Sequence, residues 1–99
     1  MPRRLSTVHK EISSLGAHGV SPGLIDDAKA TIDYLHARRV PLPSSVVARN
    51  NGHVMFVYDG KDVEIEIGYK YIVIVSPDWE EEEVDLRSAP GKLKKLLWN

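Results

Sequence analysis

Four histidines, His9, His18, His36 and His53, are the first residues to weigh for chemistry, because imidazole readily serves as a base or a metal ligand near neutral pH. A helical zinc site wants two of them four residues apart, and that spacing does not occur. Ordinary surface or half-buried imidazoles are the expectation. No serine lies in a Gly-x-Ser-x-Gly elbow, so Ser21 and Ser88 read as helix N-caps and Ser44-Ser45 as loop. Gly16-Ala17-His18-Gly19 lacks the Lys-Ser/Thr of a phosphate loop and follows no strand pattern. With no cysteine, there is no thiolate nucleophile, disulfide or sulfur-ligated metal. The reading is a non-enzymatic chain with no catalytic residue, no cofactor and no metal.

Carboxylates are the abundant chemistry. Asp62, Glu64 and Glu66 alternate with Val63, Ile65 and Ile67, which puts the three acids on one face of a strand. A glycosidase-like pair would need a deep cleft that a small chain scarcely builds, and the solvated side of a strand explains them without catalysis. The run Asp78-Trp79-Glu80-Glu81-Glu82-Glu83-Val84-Asp85 is the sharpest local feature. One explanation is a charged sheet edge that blocks edge-to-edge aggregation. The other is a docking surface: Asp78, Glu80, Glu81, Glu82, Glu83 and Asp85, with Glu64 and Glu66, make a field that attracts a basic protein, and Trp79 is a favoured interface anchor.

The charge map sharpens this reading. Net charge is −1, yet residues 1–49 carry +3, residues 50–88 carry −7 and residues 89–99 carry +3. The positive side chains, among them Arg3, Arg4, Arg38, Arg39, Arg49, Lys92, Lys94 and Lys95, support an alternative: a nucleic-acid-associated accessory protein. That alternative needs them grouped on one face, and no helix-turn-helix, RNP or zinc-finger spacing is present. A small enzyme is the third reading.

Elements must position these groups. At 99 residues the chain is one domain, 1–99, with 42% apolar and 27% charged residues, an ordinary globular composition. Met1-Pro2-Arg3-Arg4 is followed by no apolar signal-peptide core, and the longest apolar run, Tyr71–Val75, is too short for a membrane span, so a cytoplasmic protein with no membrane partner is expected. Leu5, Val8, Ile12 and Leu15 form one helical stripe, ended by Gly16 and Gly19. Ser21-Pro22 opens a second helix with Leu24, Ala28, Ile32 and Leu35 on its stripe. Val40-Pro41-Leu42-Pro43 runs extended. The period then changes to two: strands at Val46–Arg49, His53–Tyr58, Asp62–Ile67 and Tyr71–Val75, with hairpin turns at Asn50-Asn51-Gly52 and Asp59-Gly60. Glu80–Leu86 reads equally as edge strand, loop or helical turn. Lys92–Trp98 reads as a short helix after Pro90.

The expected fold is α+β: an N-terminal helical pair packed on an antiparallel β-meander of three to five strands, closed by a short C-terminal helix. Val54–Tyr58 and Tyr71–Val75 are apolar on both faces, and one helical pair covers one face only, so a homodimer through the sheet is a further expectation. Ile32–Leu35, Pro41–Pro43, Asn51-Gly52 and Val54–Tyr58 together resemble small bacterial and phage proteins with a helix, a Pro-x-Pro lead-in and a Gly-turn meander. The resemblance implies a protein of the kind that includes antitoxins, immunity proteins and phage inhibitors, which act by binding.

Overall fold

A computed structural model describes residues 3–68 and 71–98. In chain order it contains α1 (Leu5–Ser14), a 3-10 turn (Leu15–His18), α2 (Pro22–Ala37), β1 (Ser45–Ala48), β2 (Val54–Tyr58), β3 (Val63–Ile67), β4 (Ile72–Val75), β5 (Glu81–Val84) and α3 (Ala89–Leu97). The five strands form one sheet in the order β1-β2-β3-β4-β5, each antiparallel to the next. The α+β meander expected from the sequence is the fold observed. No helix of the described residues is long and apolar enough to cross a membrane.

The helix boundaries have local causes. Ser21 Oγ accepts a hydrogen bond from Leu24 N at 3.3 Å, and Pro22 occupies the first turn of α2, where its missing N–H costs nothing. At its far end, Arg39 adopts φ 66° while Arg39 N donates to His36 O and Val40 N to Leu35 O, a Schellman closure that folds Val40 into the core. Two expectations need correction here. Gly16 does not end α1; it lies inside the 3-10 turn, and Gly19, at φ 90°, makes the exit. Ser88 does not cap α3 with its side chain. It sits in helical geometry and its N–H donates instead to Asp85 Oδ1 at 2.8 Å, so the aspartate three residues upstream satisfies the helix start.

The core lies on one side of the sheet. Val54, Phe56 and Tyr58 of β2, Val63, Ile65 and Ile67 of β3, Ile72 and Ile74 of β4 and Val84 of β5 share one buried cluster. Val8 and Ile12 of α1, Leu24, Ala28, Ile32 and Leu35 of α2, and Ala89, Leu93 and Leu97 of α3 belong to the same cluster. All three helices therefore cover the same face. Tyr58 spans the cluster and donates its hydroxyl to Pro41 O at 2.8 Å, and burial pushes its pKa upward.

The β2–β3 turn places Gly60 at φ 81° and Asp62 at φ 53°, so Asp62 belongs to the turn rather than to the acidic face of β3. No neighbouring atom would meet a Cβ at Gly60, so a substitution there is resisted by conformation alone. Gly60→Val is expected to cost more than about 1 kcal/mol, read as a lowered urea midpoint with unchanged slope.

Candidate functional site

Strand parity decides what the second face carries. Residues opposite in alternation to the core side chains are Ser45 and Val47 on β1, Met55 and Val57 on β2, Glu64 and Glu66 on β3, Val73 and Val75 on β4, and Glu81 and Glu83 on β5. Met55 and Val75 are buried, yet neither joins the core cluster, which confirms that they lie across the sheet from it. No helix of the described residues covers this face. Its columns alternate in kind: apolar on β2, acidic on β3, apolar on β4, acidic on β5.

One corner of the face is knitted together by polar contacts. His53 Nδ1 lies 2.7 Å from Glu66 Oε2, Asn51 Nδ2 donates to the same oxygen at 3.2 Å, and Arg49 Nε stands 3.6 Å from Glu66 Oε1. The Tyr71 hydroxyl lies 3.2 Å from His53 Nδ1, with the two rings edge to face at 5.7 Å. Gly68 makes this reach feasible. Its N–H donates to Tyr71 O, and a Cβ on Gly68 would stand 2.5 Å from Tyr71 Cζ, so the phenol lies over the glycine where a side chain would otherwise be. Burial by itself would raise the Glu66 carboxyl, but the hydrogen bonds from His53 and Asn51, with the Arg49 charge, outweigh it and hold the pKa below its ordinary value. This cluster is a clamp between the β1–β2 hairpin and β3, and residue types alone could not foresee it, since its members are distant in sequence.

The acidic residues singled out from the sequence fall into two groups. Glu64, Glu66, Glu81 and Glu83 stand on the uncovered face. The others do local work: Asp78 accepts from Ser76 Oγ, which lowers its pKa; Asp85 starts α3, its carboxyl lowered by the Ser88 backbone hydrogen bond; Glu82 points to the helix side and pairs with Lys92 Nζ. Glu80 lends its carbonyl to Ser76 N in closing the hairpin. A groove of about 870 Å³ between that hairpin and α3 is lined by Glu80, Glu82, Lys92 and Lys95 among others, but its charges are of both signs and the Lys92–Glu82 pair bridges it. Elsewhere, His9 bonds Asp33 at 2.6 Å, Arg38 lies over the Tyr34 ring at 3.4 Å, and Arg3 pairs with Glu11. Several of the cations are thus engaged with their own neighbours. Among the described residues, no group of three metal-ligating side chains stands together.

Trp79 occupies an unusual position. The β1–β2 connection closes with Arg49 N to His53 O at 2.8 Å and Gly52 N to Arg49 O at 2.9 Å, with Gly52 at φ 84°. The β4–β5 connection repeats that pattern, Ser76 N to Glu80 O at 3.0 Å and Trp79 N to Ser76 O at 2.9 Å, with Trp79 at φ 66°. This three-residue hairpin normally takes glycine at the left-handed position. The chain uses glycine in one copy and, in the other, Trp79, at 78% exposure the most exposed large apolar residue among the described residues. The indole shares a cleft with Val57, Glu64 and the β2–β3 turn, at the end of the uncovered face.

No protein-family model, no curated protein and no solved structure matches the chain.

Two outcomes test the site's construction. Trp79→Gly is expected to stabilise the fold by about 1 kcal/mol, because a left-handed backbone costs a side-chain-bearing residue about that much; a lower denaturation midpoint would show that the indole is a packing element. The Glu66 carboxyl, lowered in the fold, contributes stability above its ordinary value of 4.5 that is lost as pH falls through the folded value. Glu66→Gln should therefore be less stable by about 1 kcal/mol at neutral pH and show a shallower loss on acidification, measured by denaturation across pH 2–7.

Proposed function

We propose that this chain is a non-enzymatic binding protein, of the accessory or inhibitory kind, that docks a basic protein partner through its acidic β-region. The carrying observation is the sheet face left without a helix, on which Glu64, Glu66, Glu81 and Glu83 flank the part-exposed Val57 and Val73. A surface of one sign beside apolar groups speeds encounter with a partner of the opposite sign and rejects anions, nucleic acids included. Arg3, Arg38, Arg49 and Lys92 are each engaged with a neighbouring side chain, which supports the same choice over a nucleic-acid partner that would need them turned outward together. A second copy of the chain is a poor occupant. Face-to-face packing would set acidic columns against acidic columns, or bury carboxylates against valines without partners.

The test is capture from the native host at two salt concentrations with three baits. Wild type and an Arg38→Gln/Arg39→Gln variant should retain the same protein, more weakly at high salt. A Glu64→Gln/Glu81→Gln/Glu83→Gln variant should lose it, with association slowed about tenfold or more and stability nearly unchanged. Nuclease-sensitive retention that follows the arginines would overturn the reading.

A further inference from the structure

The column pattern of the uncovered face carries information about the shape of what it meets. Neighbouring strands lie about 4.8 Å apart, so the apolar column of β2, the acidic column of β3, the apolar column of β4 and the acidic column of β5 span about 14–15 Å from first to last. A partner crossing the strands must present apolar, cationic, apolar and cationic groups in that order and at that interval. An extended chain does so poorly, because its same-side residues recur about every 6.7 Å. An α-helix places residues three to four apart at about 5 Å along its axis, so ten residues cover about 15 Å and four successive side chains on one stripe fall over four successive columns.

We infer that the face receives an amphipathic basic helix lying across the strands, with apolar residues over Val57 and Val73, the part-exposed members of the β2 and β4 columns, and Arg or Lys over Glu64 and Glu81–Glu83. The inference rests on the proposed docking of a basic protein and adds the conformation and direction of the docked segment. Charge complementarity selects the occupant: a helix with cations at every second column position neutralises the carboxylates and leaves none facing an apolar group. Trp79 completes the surface. Placed at the end of the columns beside Val57 and Glu64, it offers an exposed aromatic face to a guanidinium next to a carboxylate, an arrangement that favours Arg over Lys. Glu66 is held by His53, Asn51 and Arg49 and serves the corner rather than the ligand.

The experiment measures anisotropy of labelled synthetic helices against the intact protein. The first probe is a side-chain-stapled helix of about 14 residues with two leucines about seven apart and an arginine three to four residues after each. The second has the same composition with the order scrambled, so charge and helicity are matched. The patterned helix is expected to bind about tenfold or more tighter than the scrambled one. Glu64→Gln/Glu83→Gln should remove most of that difference. Trp79→Gly should weaken the patterned helix about fivefold or more while the protein stays folded, and replacing the probe's arginines by lysines should weaken it in wild type but less in Trp79→Gly. Equal binding of the two helices would overturn the column match while leaving a basic partner in place. Binding of neither, with captured protein still released by the Glu→Gln changes, would overturn the helix in the same way. A dimer forming in sedimentation equilibrium, at twice 11.1 kDa, and excluding the patterned probe would give the face to a second copy and overturn both readings.

Discussion

The pairing of Phe56 with Ile65 is the constraint on which the rest of the molecule depends. It sets the parity of the two central strands, and from them the parity of every neighbour. With that register, Val54, Phe56, Tyr58, Val63, Ile65 and Ile67 all enter the core, and Glu64 and Glu66 stay out of it. A slip of one residue would drive both carboxylates into a space lined by Leu24, Ile32 and Leu35, where unpaired charge costs several kcal/mol or more. The apolar stripes of three helices compete for the one face that lacks carboxylates. That competition is why they gather on one side and leave the other uncovered.

Much of this was legible in the residues, for reasons that can be named. The helices were readable because their apolar spacing is regular and because Ser21-Pro22 marks a start by side-chain chemistry. The β3 strand was readable because valine and isoleucine alternate with glutamate. The Asn51-Gly52 turn followed from the need for a residue at ease with positive φ. The strand over Glu81–Val84 was not decidable, because its three glutamates have no strand preference of their own; pairing with β4 and the burial of Val84 make the strand. Choosing between Asp85 and Ser88 as the start of α3 needed backbone angles, since either residue type can cap.

The site was legible in part. The acidic character of residues 78–85 is plain in the sequence, but its division between face, turn, helix start and ion pair depends on which way each strand residue points. Glu81 and Glu83 reach the open face and Glu82 reaches α3, an alternation that a run of identical residues conceals. The Trp79 turn was hidden for a different reason. Ser76-Pro77-Asp78 suits a type I turn, but nothing in a tryptophan announces a left-handed backbone, and only the matching hydrogen bonds around Gly52 reveal that the two turns are alike. The His53, Glu66 and Tyr71 cluster needed register as well, together with a bare Gly68 for the phenol to lie across.

The unbroken order β1-β2-β3-β4-β5 has a kinetic consequence. Every strand pairs with its successor, so each of the four pairings closes a short connection, and none waits for a distant segment to diffuse in. Loop-closure entropy is small at each step, which places the sheet among the quicker β-topologies to form. Nucleation can begin at a glycine-bearing turn and spread outward one strand at a time. The charged β5 ends the sheet, so its free edge carries Glu81, Glu82 and Glu83 where a second chain would otherwise add.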